Sequence, residues 1–379
     1  MEDNRPSAPT GGRGLRIGRI LGIPVYVSAT WLVIAAVIVV GYAPLVSLRL
    51  PELSSLAAYA TAAVFVVLLF ASVLLHELGH ALVAKQQGIG VRAMTLWMLG
   101  GYTEMEREPR TPAGEFLVAL AGPVVSLVLG LAGLAGVVTL ESGVARELAI
   151  QVALSNLSVA VFNVLPGLPL DGGSLVRAAV WKVGGNRHAG TIAAGHSGRV
   201  VAVLVIVFGL ALSLTDVLGS VGLIFTVMVG VFLWFGATQS VRAGTLARRL
   251  PLLDARRLAR PCLTVPPDLP LAEALRRAQE VGARSLVVVD PDGTATGVVA
   301  EHAATAVPPE RRPWVPVSAV ARTLEPGMIV HADLTGEGLI NALRTNPRTE
   351  YLVSEADRVV GVLVTTDVAE TLDPKGSTR

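Results

Sequence analysis

The sequence predicts a polytopic α-helical membrane domain of six transmembrane helices followed by a cytoplasmic α/β domain. Hydrophobic residues make up 52% of the 379 positions and mean hydropathy is +0.60, the composition of a bilayer protein. Uncharged runs extend from Ile20 to Leu48, Leu53 to Leu75, Phe116 to Leu140, Leu148 to Leu170 and Val200 to Val241, the last broken only by Asp216 near Gly219. Charge crowds instead into the last third of the chain.

About 20 apolar residues span the hydrocarbon, so the first four runs give one helix each and the long fifth run gives a hairpin of two. Short cytoplasmic segments accumulate Lys and Arg. Arg5, Arg13, Arg16 and Arg19 precede the first helix; Lys85, Arg92, Arg107 and Arg110 follow the second; Arg177, Lys182, Arg187 and Arg199 follow the fourth. The alternate loops hold only Arg49 and Arg146. Both termini are therefore expected in the cytoplasm, with the second and fourth helices running outside to inside. The first apolar run is too long for a signal-peptide h-region. The single Cys262 excludes an internal disulfide and a cysteine zinc cage. A net charge of +2 makes no case for nucleic acid.

His76-Glu77-Leu78-Gly79-His80 closes the second run. Residues four apart share a helix face, so two imidazoles converge on one metal while Glu77 reaches its water. Ionisable groups at membrane depth cost about 2.5–3.5 kcal/mol each, and three within little more than a turn call for a compensating cation. A catalytic zinc keeps three protein ligands and an open position. Asp171 is the candidate third ligand: it ends the fourth run in Asn163-Val-Leu-Pro-Gly-Leu-Pro-Leu-Asp-Gly-Gly173, on a helix that brings it to the depth of His80. Pro166 and Pro169 break that helix, and Gly172 and Gly173 permit close backbone approach.

These motifs resemble those of the site-2 proteases, intramembrane zinc metalloproteases, in the prokaryotic type bearing CBS domains. His76, Glu77 and His80 match the family's first motif and Asn163 to Gly173 its second, with Asp171 at the metal position; Gly100-Gly101-Tyr-Thr and Glu115 to Pro123 are also family-like. The resemblance implies Zn2+ as cofactor, Glu77 as general base, and Asn163 holding the substrate backbone or steadying the oxyanion. It further implies a hairpin near Val91 to Met105 beside the substrate. That substrate would be a transmembrane protein such as an anti-sigma or pro-sigma factor, often trimmed first by another protease. Many relatives carry an extracytoplasmic PDZ domain, for which no outer loop here is long enough. The membrane domain is expected over residues 1–245. Other polar residues read as ordinary: His188, His196, His302 and His331 as solvated groups, and Gly122, Ser126 and Gly130, spaced by four, as helix-packing positions.

After a basic linker at 246–257, the tail repeats with a period of about 64 residues. Ser285-Leu-Val-Val-Val-Asp290 leading to Gly297-Val-Val parallels Tyr351-Leu-Val-Ser-Glu355 leading to Gly361-Val-Leu. Each copy reads as helix, two strands, helix, and the whole resembles a tandem CBS pair over 258–374. In that family a Ser or Thr followed three residues on by Asp binds adenine-nucleotide ribose. The second copy keeps Asp367 but has Val364 at the hydroxyl position, and the first has Ala300 and Ala303. A homodimerising pair with weak nucleotide binding or none is expected. The rival reading is a non-enzymatic CBS-bearing channel or transporter, which would need neither Glu77 nor Asp171 beside the two histidines.

Overall fold

The computed structural model describes residues 14–97, 100–215, 219–299, 301–356 and 358–372. The chain divides into two compact units, Met1–Gly244 and Thr245–Arg379.

The first unit opens with two antiparallel strands, β1 (Leu15–Ile20) and β2 (Ile23–Val27), joined through Leu21 and Gly22 at φ 50° and 83°. Sequence reading placed Ile20–Val27 inside the first apolar helix. The segment holds the end of β1, a turn and β2 instead: Ile23, Val25 and Val27 alternate inward with period two, and Ser28 caps the helix that follows by accepting from the Trp31 N–H. That helix is α1 (Ala29–Arg49), followed by α2 (Ser55–Gln86), strands β3 (Val91–Trp97) and β4 (Gly100–Met105), and α3 (Pro112–Thr139). The strands form one sheet in the order β1-β2-β3-β4, with β2 and β3 parallel and the rest antiparallel. Four further helices complete the unit: α4 (Val144–Val164), α5 (Asp171–Gly184), α6 (Arg187–Leu214) and α7 (Ser220–Arg249), the last continuing into the second unit.

Among the described residues six helices are long and apolar enough to cross a membrane: α1 to α4, α6, and the stretch Gly222–Leu252. The fourth apolar run stops being helical at Val164, because Pro166 and Pro169 cannot donate to the preceding turn. The chain becomes helical again only at Asp171, in α5, which ends at Gly185 with φ 66°.

Helices α2 and α3 approach closely because Gly79 faces the Ala121 carbonyl and the Val125 side chain, where a Cβ would lie 3.0–3.3 Å away. Polar bonds fix other helix pairs. Asn156 on α4 donates to Ser72 on α2 (3.0 Å), and Glu147 on α4 accepts from Tyr42 (2.6 Å) and Arg49 (2.7 Å) of α1. Leu127, Val128, Leu204 and Phe208 point outward, as helices in hydrocarbon require.

The second unit contains α8 (Ala255–Leu258), β5 (Cys262–Val265), α9 (Leu271–Glu280), β6 (Ser285–Val289), β7 (Ala295–Val299) and α10 (Glu301–Ala306). After these come β8 (Ala321–Thr323), β9 (Ile329–His331), α11 (Gly336–Thr345), β10 (Glu350–Glu355), β11 (Arg358–Val364) and α12 (Thr365–Leu372). The repeat is plain in the register: Val288 pairs Gly297 in one copy, Val353 pairs Gly361 in the other. Each copy has a strand before its first helix as well, β5 parallel to β6 and β9 parallel to β10. Leu271, Ala274 and Ala278 make the buried stripe of α9, and Val287, Val298, Leu352 and Val362 form one cluster shared by the copies. The expected linker at 246–257 is structured. It holds the end of α7, a 3-10 turn at Leu250–Leu252 and the start of α8, with Leu253 and Ala255 fully buried in the second copy's core. Ala300 lies outside the described residues.

Candidate metal centre

His76 and His80 lie one turn apart on the face of α2 that packs against α3, both buried, and Asp171 is the first residue of α5. Their Nε2 atoms are 3.2 Å apart, and Oδ2 of Asp171 is 3.2 Å from the first and 3.3 Å from the second. The triangle is close to equilateral. Ligand atoms about 2.0–2.1 Å from a tetrahedral zinc are about 3.3 Å from one another, so these three atoms match one face of such a tetrahedron.

Protonation points the same way. Nδ1 of His80 donates to the Val118 carbonyl at 2.7 Å; a carbonyl only accepts, so Nδ1 carries a proton, and when the ring is neutral Nε2 presents a lone pair. Nδ1 of His76 meets the Ser126 hydroxyl at 2.9 Å, and Ser126 is 1% exposed. With Nδ1–H donating to Ser126, two imidazole lone pairs and a carboxylate oxygen face one point. That arrangement is repulsive without a cation, and the nitrogen and oxygen donor set suits zinc.

Gly122 on α3 closes the other side of the rings. A Cβ there would lie 2.3 Å from Nε2 of His80 and 2.6 Å from Nε2 of His76, so no side chain fits. Gly172 and Gly173 similarly let the start of α5 lie against the backbone of Val164 to Leu168. Among the described residues, His76, His80 and Asp171 are the one cluster of three His, Cys, Asp or Glu side chains suited to a metal.

Glu77 is buried beside this triad. The Thr103 hydroxyl of β4 donates to its Oε2 at 2.8 Å, and Gly101 leaves room for it, since a Cβ there would meet Glu77 Cγ at 2.6 Å. Glu77, His80 and Asp171 open onto a cleft of about 530 Å3 whose walls include Gly101 to Thr103, Glu108, Glu115, Val118, Arg177 and Arg187. Asn163 sits in the last turn of α4, half-buried, and is not among the lining residues. His188 is half-buried and His196 exposed, both on α6.

Sequence reading missed Thr103, Val118, Gly122 and Ser126 as parts of this centre. Gly122 and Ser126 were expected only to pack helices. Gly130 does pack, against Leu157 of α4, but the two residues before it in the same stripe touch the imidazoles. A small residue four positions before a serine carries the same signature in both roles.

In the tail, Asp367 in the first turn of α12 is held by Arg260, Nε to Oδ2 at 2.7 Å and Nη2 to Oδ1 at 2.8 Å. Both lie in the wall of a cleft of about 640 Å3 that also includes Arg257, Arg284 and Glu370. Arg260 holds the Asp367 carboxyl below the ordinary carboxylate range.

The description "Peptidase family M50" matches residues 64–151 and 137–208, and the CBS domain matches 255–305. A Synechocystis protein bearing a zinc-metalloprotease name is 33% identical over 361 residues, covering 92% of this chain and 93% of its own. Rip3 of Mycobacterium tuberculosis, also named as a zinc metalloprotease, is 35% identical over 317 residues, covering 81% and 79%. The solved site-2 protease of Methanocaldococcus jannaschii is 30% identical and superposes with a TM-score of 0.42, covering 60% of this chain and 94% of that one.

Proposed function

Because the chain belongs to peptidase family M50, the site-2 proteases, and is a membrane-bound zinc metalloprotease, we propose that it hydrolyses a peptide bond in or near a transmembrane helix of a membrane-bound regulatory protein. In this reading residues 1–245 are the protease domain and 258–374 a tandem CBS pair that modulates it. Both termini lie in the cytoplasm, as the arginine distribution of the loops indicates. Family membership removes the channel and transporter reading.

One observation carries the proposal: three metal-ligand atoms converge beside a buried carboxylate on α2, a helix with the length and apolarity of a membrane span. His76, His80 and Asp171 would hold the zinc, which when bound would supply Lewis-acid polarisation of the scissile carbonyl and a water whose pKa is lowered toward about 7. Glu77, oriented by Thr103, takes the proton from the attacking water and delivers it to the leaving amine. Asn163, by family resemblance, holds the substrate backbone or steadies the oxyanion from the end of α4.

A regular helix keeps its carbonyls in internal hydrogen bonds, so the substrate must unwind at the bond to be cut. Strand β4 is the last in its sheet and carries Thr103 and Gly101 next to Glu77, so its outer edge suits an extended segment. Anti-sigma and pro-sigma factors are the substrate class that family resemblance suggests. In the tail, both carboxylate oxygens of Asp367 are taken by Arg260, which counts against tight binding of adenine nucleotide; association of two copies is the role left to the pair in this reading.

The test is Glu77→Gln in purified, reconstituted protein with a single-span substrate. Zinc content should equal wild type, while cleavage falls about 10²- to 10⁴-fold, the usual worth of a general base. Wild-type cleavage by that variant would overturn the mechanism.

A further inference from the structure

A second buried carboxylate adjoins the cleft and takes no part in the chemistry above. Glu115 lies in the first turn of α3, 2% exposed. Its Oε1 accepts from Nε of Arg177 on α5, and its Oε2 from Nε of Arg187 on α6 at 2.9 Å. Arg187 continues to Glu108, which is exposed, and Arg177 also reaches the Ser174 hydroxyl at 3.2 Å. A carboxylate in a first turn gains from the helix dipole without any partner. Burying the charge calls for cationic partners; that α5 and α6 supply them has a second reason.

Helix α3 supplies one. Three residues beyond Glu115, the Val118 carbonyl accepts from His80; two turns further, Ser126 meets His76. The remaining member of the triad, Asp171, sits on α5, whose N-cap residue Leu170 makes no side-chain capping bond. What ties α5 to α3 by charge is Glu115 with Arg177. Each of the three side chains is thus indexed to the same helix, two directly and one through α5.

We propose that Glu115 is a positioning residue: through Arg177 it sets where α5 presents Asp171 to the two imidazoles, and so sets how tightly the centre holds zinc. This rests on the reading of Asp171 as third ligand. Partners outside the ligand sphere of a metal site are typically worth 10- to 100-fold in affinity, and ligand geometry has to be held to about 0.5 Å.

The experiment measures zinc affinity of the full-length chain in detergent by chelator competition, with kcat, KM and thermal unfolding recorded alongside. Glu115→Gln keeps the shape and removes the charge. It should weaken zinc retention about 10- to 100-fold and lower kcat at little cost in KM. Asp171→Asn should weaken retention further, and the double variant should be no worse than Asp171→Asn alone, since both act on one ligand. Arg177→Lys, which keeps the charge but loses the planar Nε donor, should show the same loss in smaller degree and serves if Glu115→Gln does not fold. Wild-type zinc affinity in folded Glu115→Gln, or in Arg177→Lys where that is the variant available, overturns the inference, as does a double variant whose losses add. If Asp171→Asn itself retains zinc as wild type does, the ligand reading falls and this inference with it. Loss in Asp171→Asn with none in Glu115→Gln sinks this inference alone.

Discussion

Two clefts, one in each unit, are built around an aspartate, and they treat it in opposite ways. In the tail, Asp367 has its cation inside the chain: Arg260 takes both oxygens in a parallel fork. In the membrane unit, Asp171 faces the Nε2 atoms of two imidazoles, which present lone pairs when both rings are neutral, and among the described residues no guanidinium or ammonium completes the group. The first arrangement is satisfied as it stands. The second is suited to a cation from outside, and that difference separates a candidate metal site from one whose motif has been closed by its own neighbour.

The largest expected effect comes from making the second cleft resemble the first. Asp171→Asn supplies an amide N–H that donates to a histidine nitrogen, so the site satisfies itself without metal. Zinc content of purified protein and turnover should fall together, by more than the 10- to 100-fold typical of outer partners. A variant with wild-type zinc and turnover would place the third ligand elsewhere.

Gly122→Ala comes next. A methyl 2.3 and 2.6 Å from the two ring nitrogens must push both imidazoles or the α2–α3 contact aside, and chelator competition should show zinc held about 100-fold less tightly. Unchanged affinity would mean that the rings have room the structure does not give them. Ser126→Ala should cost less, about 10-fold, because it frees one Nδ1 without moving either ring.

The smallest effect is in the tail. Asp367→Ala removes a partly exposed ion pair and should lower thermal stability by about 1 kcal/mol or less. Because the Asp367 carboxyl is held below its ordinary range, the pair's contribution is present above the unfolded pKa of about 3.9 and is lost as pH falls through the lower, folded value. The gap between wild type and variant should therefore be steady near neutrality and close only below about pH 4. Calorimetry with ATP should give weak binding or none in both; tight binding would show that Arg260 yields to a nucleotide.

The sequence made the cluster of His76, His80 and Asp171 legible because two of its members sit at i and i+4 and the third stands at the end of a proline-broken apolar run, where a plain helix has no use for Asp-Gly-Gly. The parts it hid are those without a residue-type signature. The Val118 contact is a backbone carbonyl, which any residue supplies; Gly122 and Ser126 look like a packing stripe; and Glu115 looks like a first-turn acid favoured by the helix dipole. Strands β1 and β2 were hidden for another reason, since Ile-Pro-Val-Tyr-Val merges by hydropathy into the helix that follows, and only its period of two separates it. In the tail, the repeat exposed both copies, while the Arg260–Asp367 pair joins positions 107 residues apart that no local pattern connects.

The contacts gathered on α3 also divide the unit kinematically. Pulling α2 away from α3 stretches the bonds of both imidazoles, and pulling α5 away breaks the Glu115 pair. These three helices can therefore be displaced only as one body if the centre is to keep its shape. Whatever motion admits a substrate must be carried by elements that hold neither a ligand nor a ligand's partner, and a crosslink between α2 and α3 should leave turnover intact.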